Sequence, residues 1–141
     1  MPESPADALQ LETVDGVPVV RLAATHRVFA EAVALFTAVI RRMVAEGQPH
    51  LLLDVVHAGF APPGMLERLG MVREWAQAAD GRLRIAMVAR PEYIDPERFG
   101  IVAAGNFGLA GQVFEREADA IAWLHDERAA ELRRKALLPR S

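Results

Sequence analysis

The chain has 141 residues, 52% of them hydrophobic, and a formal net charge of −3, which is the profile of one globular domain. It contains no cysteine, which excludes disulfides, thiol nucleophiles and cysteine-ligated metals. With no basic excess and no apolar run near the ~20 residues that span a bilayer, we expect a cytoplasmic protein with no nucleic-acid partner and no membrane span.

The first part of the chain predicts a loose leader followed by a β-hairpin. Residues 1–8 hold prolines and acids and carry no apolar period. Residues 9–14 alternate apolar and polar side chains, which is the period of a half-buried strand. The pair Asp15-Gly16 is a strong two-residue turn signal, because both residue types tolerate a positive φ. Residues 17–22 are then the return strand.

A helix and a central strand come next. Thr25 is the predicted N-cap of the helix, and Gly47 is expected to end it. The apolar residues fall at i, i+4, i+7, i+11 and i+14, on one helical face: Phe29, Val33, Phe36, Ile40 and Met43. Residues 50–56 form a short apolar run without a helical period, which is typical of a strand buried on both faces.

The second helix is expected to open at Pro62-Pro63, with proline in its first turn, and to end at Asp80-Gly81. Its predicted buried face repeats at helical spacing: Met65, Leu69, Val72, Ala76 and Ala79, flanked by Leu66 and Trp75.

Four more elements follow in the sequence. Residues 83–89 predict a strand, 96–104 a short helix and 112–114 a short last strand. The final helix is expected to run from Glu117 to about residue 132. Trp123 and Leu124, near its start, should pack it onto the sheet.

The resulting order is β-β-α-β-α-β-α-β-α, which predicts a single-domain α/β fold with a mostly parallel sheet and flanking helices. We expect the domain to cover residues 9–127. Residues 128–141 would then be a C-terminal helical extension with a basic tail.

Two stretches resemble the STAS fold, and specifically its SpoIIAA-like branch. The first is the central strand ending in Leu53-Asp54, followed by a loop and a helix that begins near Pro63. The second is residues 113–124, which are similar to the family's closing pattern of a short strand in Phe and then Ala-x-x-Trp-Leu. The resemblance covers about residues 9–127. It implies a small bacterial cytosolic domain with a regulatory or ligand-binding role that is not an enzyme.

The branches of this family include anti-sigma-factor antagonists and proteins likened to CRAL-TRIO lipid carriers. The resemblance implies that antagonists present a phosphorylatable Ser or Thr in the loop after the central strand. In this chain residues 57–64 contain no Ser, Thr or Tyr. No phosphorylation site is therefore predicted.

Five residues that end or follow the predicted strands are candidates for binding a ligand or a partner, because open α/β sheets bind at this edge: Asp54, His57, Phe60, Arg90 and Tyr93. Asp54 either faces a pocket or accepts hydrogen bonds from backbone N–H groups of the next loop. His57 is either a site residue or a strand-end histidine bonded to a loop. Arg90 and Tyr93 could hold an anionic or polar ligand, or could be an ordinary loop arginine and an anchoring tyrosine.

Phe60 lies in a loop that looks too short and stiff to bury a large ring. We therefore expect an exposed aromatic anchor for a partner or an apolar ligand. The alternative is that Phe60 folds over the helix face of Met65 and Leu69.

The sequence predicts no catalytic residue, no metal ligands and no cofactor. The four histidines are not spaced as ligands on one helix face, and the two serines lie at the chain ends. The leading hypothesis is a non-enzymatic STAS-like domain in bacterial signalling that docks a protein partner or forms a homodimer. The alternative is a module that binds a small apolar, lipid-like or anionic ligand at the C-terminal edge of the sheet.

Overall fold

The computed structural model describes residues 10–94 and 105–126, and in them five strands form one sheet whose neighbours follow the chain order. The strands are β1 (Gln10–Val14), β2 (Val17–Arg21), β3 (His50–Asp54), β4 (Arg84–Val88) and β5 (Gly111–Phe114). The helices are α1 (Phe29–Ala45), α2 (Met65–Ala79) and α3 (117–126), with a short 3-10 turn at Pro91–Tyr93. β1 is antiparallel to β2, and all later pairs are parallel. The predicted α/β fold is confirmed.

The β-hairpin turn is the one that the sequence predicts. Asp15 has a φ of 49° and Gly16 a φ of 80°, so both turn residues occupy the left-handed region. Such a turn matches the twist of the two flanking strands and fixes their register, in which Val14 lies opposite Val17.

The start of α1 differs from the prediction. The helix begins at Phe29, its N-cap is Val28, and no side chain caps it. Thr25 lies in a preceding turn, so its assignment as the N-cap is wrong. The physical reason is that the segment before α1 binds the loop after β3. The His26 carbonyl accepts a hydrogen bond from the Gly59 backbone N–H (2.9 Å). The predicted apolar face of α1 is confirmed.

The start of α2 also differs. Gly64 is the N-cap, and its backbone N–H donates to Glu67 Oε1 (3.0 Å), so Pro62-Pro63 precede the helix and do not lie in its first turn. Met65 was expected to be buried but is 64% exposed, and Leu66 is 82% exposed.

The buried face of α2 is rotated toward Trp75, which the sequence placed at its flank. Trp75 is 3% exposed and packs edge-on against Phe36 of α1, with ring centroids 5.7 Å apart. Val72 and Ala79 are buried beside it. The contact with a large ring on the neighbouring helix decides which face of α2 turns inward.

The sheet carries one apolar core on each face. Alternate strand residues, among them Leu51, Leu53 and Ile85, pack under α1 and α2. Their neighbours, among them Leu52 and Ala86, pack under α3. β3 is therefore buried on both faces, as predicted.

The packing of α3 confirms that both members of its tryptophan-leucine pair lie against the sheet, although they are buried to different extents. Leu124 is fully buried on the sheet with Ala120 and Ile121. Trp123 is only half-buried and lies against Phe114 of β5, with ring centroids 5.9 Å apart.

The predicted helix over residues 96–104 lies outside the described residues. So do the leader over 1–8 and the extension over 128–141.

Candidate functional site

A cavity of about 110 Å³ lies between α1, α2 and the β4–β5 part of the sheet. The loop after β3 and the 3-10 turn also contribute to its wall. The described lining is mostly apolar and includes Phe29, Phe36, Val72, Trp75, Met87 and Tyr93. It lies in the core that the two long helices share with the sheet, toward the strand ends where open α/β sheets bind ligands.

Aromatic rings give this cavity a fixed shape. Phe60 packs edge-on against Phe29 and against Tyr93, with ring centroids 5.5 and 5.6 Å apart. Phe36 and Trp75 form a further edge-on pair deeper in the same core. Each ring is held by a perpendicular neighbour, which is the favoured geometry for aromatic pairs.

Phe60 is 8% exposed, so the prediction of an exposed anchor is wrong. Phe60 belongs to the buried core, as the alternative proposed, and Leu69 packs against the same core; its ring pairs with Phe29 and Tyr93. The loop comes close enough because Gly59 has no Cβ. A Cβ there would collide with the Ala24 carbonyl oxygen.

Arg90 and Tyr93 hold this loop in place. Arg90 Nη2 donates to the Tyr93 hydroxyl (2.5 Å), and the Tyr93 hydroxyl donates to the Phe60 carbonyl. The Arg90 guanidinium carbon also lies 4.7 Å from the centroid of the Tyr93 ring, and its Nε pairs with Glu92 (3.2 Å). These contacts support the interpretation of Arg90 and Tyr93 as a loop arginine and an anchoring tyrosine.

Asp54 lies on the opposite face of the sheet from the cavity, where its carboxylate has two partners. Oδ1 accepts a hydrogen bond from the Val56 backbone N–H (2.9 Å), which confirms the backbone-acceptor interpretation. Oδ2 pairs with Arg21 Nη1 (2.7 Å), which also binds Glu117 at the start of α3 (2.5 Å). Arg21 has a third carboxylate partner in Glu12, whose Oε1 lies 3.2 Å from Arg21 Nε.

The hydrogen bonds from Arg21 to Glu117 and then to Asp54 raise its pKa above the ordinary value for arginine. A raised pKa keeps the guanidinium charged, and this stabilising charge is fully present below the ordinary arginine pKa. The Arg21 guanidinium therefore stays charged throughout the acid and neutral pH range. It can pair there with any ionised carboxylate of its three partners, which lie on β1, β3 and α3.

The structure thus brings three of the five candidates together and separates two. Phe60, Arg90 and Tyr93 form one cluster at the cavity wall. Asp54 is on the other face, and His57 is exposed in the turn after β3. Over residues 10–94 and 105–126, no group of three or more His, Asp or Glu side chains could hold a metal ion. Nor does any helix in those ranges have the length and apolar character needed to cross a bilayer.

No protein-family model matches the chain, and no curated protein matches it at a significant level. The similarity to STAS proteins therefore stays a prediction from the two stretches described above.

Sequence reasoning missed Trp75 as a site residue. It lines the cavity, and its buried Nε1 has no hydrogen-bond partner in the described part of the chain. The signal was present in the sequence, because Val72, Trp75 and Ala79 fall at i, i+3 and i+7 on one helical face. The prediction instead chose the helical face that begins at Met65, and this choice left Trp75 at the flank.

Proposed function

We propose that this domain binds a small apolar ligand in the cavity between α1, α2 and the sheet. The observation that carries the proposal is a mostly apolar cavity of about 110 Å³ that is partly open to solvent and lies between the two long helices and the sheet. A ligand in this cavity would remove apolar side-chain surface from water, which is favourable.

The cavity has the features of a preformed ligand site. Binding pockets are typically concave, apolar and aromatic, with a small number of polar groups. The edge-on pairs of Phe60 with Phe29 and Tyr93 hold the wall rigid without a ligand. The size is of the same order as an engineered cavity of about 150 Å³ that binds benzene, so a compact molecule fits best.

A native mass spectrum of freshly purified protein tests the proposal. We expect a fraction of the protein to retain a small additional mass, or to gain one when benzene or toluene is added. The filling variant Ala32→Leu should lose this binding, because Ala32 lines the cavity and the new side chain adds three carbons. The control Ala34→Leu places the same side chain on the exposed face of α1 and should bind as the wild type does. Equal binding by both variants would contradict the proposed site.

A second candidate is the STAS-like regulatory domain that docks a partner, and one observation favours it. Met65 and Leu66 are both largely exposed on the first turn of α2. They follow the loop where the resemblance places the partner surface. Because residues 57–64 contain no hydroxyl side chain, docking here would work without a phosphate on this loop.

Self-association of the purified protein tests this second candidate without any other partner. If the exposed turn docks a second copy, sedimentation velocity should find a dimer for the wild type and a monomer for Leu66→Glu. The matched control is Leu11→Glu, at an exposed leucine of the edge strand β1, which should stay dimeric. A wild type that stays monomeric at all concentrations would exclude this form of docking.

A further inference from the structure

The charged side chain in the described wall of the cavity is Arg68, on the first turns of α2. Its Nε donates to the Pro63 carbonyl (3.1 Å), and Pro63 lines the cavity as well, so the guanidinium lies at the cavity wall. Both residues are partly exposed, whereas Val72 and Trp75 further along α2 are buried. A ligand can therefore reach Arg68 from solvent while its apolar part lies between the helices and the sheet.

The Arg68 guanidinium keeps most of its hydrogen-bonding capacity. Its Nε is bound to Pro63, and among the described residues it forms no ion pair with a carboxylate. Glu67, the acid beside it in the sequence, instead accepts the Gly64 backbone N–H (3.0 Å). The two Nη atoms therefore have no partner in the part of the chain that the structure describes. Together they form the end of the guanidinium that binds a carboxylate through two parallel hydrogen bonds.

Two other polar residues that line the cavity, Tyr93 and Gln112, are not available in this way. The Tyr93 hydroxyl accepts from Arg90 Nη2 and donates to the Phe60 carbonyl. Gln112 lies beside Ala86 in the sheet register, and Ala86 packs in the core under α3. Because side chains alternate along a strand, the Gln112 amide is directed to that face and away from the cavity. The described wall thus combines the cation of Arg68 with apolar surface.

These features favour a ligand with an apolar body and a single negative charge. A carboxylate at Arg68 gains charge-assisted hydrogen bonds, and the partial exposure of the arginine lowers the cost of desolvating both ions. A doubly charged group such as a phosphate monoester would leave one charge without a counter-charge in the described wall. The space of about 110 Å³ is of the same order as the engineered cavity that binds benzene, so the apolar body has roughly six carbons.

We infer that the cavity takes a monocarboxylate whose compact apolar body lies between α1, α2 and the sheet, and whose carboxylate pairs with the Nη atoms of Arg68. This inference rests on the proposed function and names the ligand class for the same site.

Two probes of equal shape test the charge. Cyclohexylacetate and cyclohexylacetamide differ in one atom position, a carboxylate oxygen against an NH₂ group, and only the first is charged at neutral pH. Their affinities are measured by calorimetry for the wild type and for Arg68→Met, which keeps an apolar stem and removes the guanidinium. The carboxylate-to-amide affinity ratio should fall about tenfold in the variant, a modest value for a charged pair because Arg68 is partly exposed. Differences in the hydration of the two probes cancel in this comparison.

Two further variants separate the charge from the structure. Arg73→Met removes the same charge from an exposed site on α2 outside the described lining, so its ratio should equal that of the wild type. Arg68→Lys loses the guanidinium and its bond to Pro63 but keeps a cation, so it should retain part of the preference for the carboxylate. A cavity that is merely loosened would weaken both probes alike and leave the ratio unchanged.

The outcomes separate the inference from the proposed function. If the ratio is the same in the wild type and Arg68→Met, or falls equally in Arg73→Met, Arg68 does not bind the carboxylate and the inference fails while the cavity still binds. The inference alone also fails if the wild type binds toluene but not cyclohexylacetate. If the wild type binds neither toluene nor either cyclohexyl probe, both the inference and the proposed function fail.

Discussion

At the scale of single residues, Phe60 is a core side chain on a loop. It packs edge-on against Phe29 and Tyr93, and its carbonyl accepts the Tyr93 hydroxyl. Phe60→Ala should lower the free energy of unfolding by about 3–5 kcal/mol, the usual cost of removing a buried Phe ring. Urea denaturation measures this change. Leu66→Ala, on an exposed site nearby in sequence, should stay within about 0.5 kcal/mol. Equal midpoints for both variants would mean that Phe60 is not buried in solution.

Arg21 holds three carboxylates from three other elements. Arg21→Met removes the shared cation and leaves Asp54, whose side chain is largely buried, facing Glu117 without a counter-charge. We expect a loss of about 1–3 kcal/mol, because the site is only partly screened by solvent.

The matched control for Arg21 is Arg42→Met. It removes an exposed ion pair with Glu46 on α1 (3.0 Å), which should be worth less than about 0.5 kcal/mol. Thermal unfolding of both variants makes the comparison. Similar melting temperatures would show that the Arg21 cluster contributes no more than a surface pair.

At the scale of elements, the loop after β3 depends on the absence of a side chain at Gly59. Gly59→Ala should destabilise the domain by about 1–3 kcal/mol, because the new Cβ meets the Ala24 carbonyl and the loop must move. The same change at Gly70 should act in the opposite direction. Gly70 lies within α2 with no atom near its Cβ position, so alanine there should stabilise by roughly 0.5–1 kcal/mol. Destabilisation of equal size at both positions would contradict the close approach at Gly59.

The attachment of α3 gives a further prediction. Leu124→Ala should cost about 2–5 kcal/mol, because the side chain is fully buried on the sheet. Trp123→Ala should cost less than Leu124→Ala, because the tryptophan is half-buried and contacts chiefly Phe114. Denaturant midpoints of the two variants rank them. The reverse order would mean that the tryptophan, and not the leucine, anchors the helix.

The elements themselves could be predicted because their signals are local. The alternation before Asp15-Gly16 and the apolar run around Leu52 are visible within a few residues. Helix starts were less accurate, because hydrogen bonds that the apolar period does not reveal decide them. The chain before α1 is bound at the His26 carbonyl by a loop more than 30 residues later, and Glu67 fixes the start of α2.

The site was only partly predictable for the same reason. Strand ends correctly marked Arg90 and Tyr93 as neighbours of the loop after β3. The burial of Phe60 required knowing that Gly59 meets the turn before α1, which no local pattern records. Trp75 became a site residue through its contact with Phe36 on another helix.

At the scale of the whole molecule, the sheet order explains why the cavity and the ion cluster are separate. Each parallel crossover moves one strand further in the same direction, so right-handed connections place α1 and α2 on the same face. α3 follows the last strand and covers the other face, where Arg21, Asp54 and Glu117 meet at its start. The face under α3 therefore carries the ion pairs of Arg21, and the face under α1 and α2 carries the cavity.

Xenon binding would test that apolar space without assuming any ligand chemistry. Crystals of the protein pressurised with xenon should show a xenon atom in the cavity, beside Phe36, Trp75 and Met87, because an apolar protein cavity of similar size binds it. The site should be absent from crystals of Ala32→Leu and present in those of Ala34→Leu. Wild-type crystals with xenon bound elsewhere and none in the cavity would contradict a ligand site between the helices and the sheet.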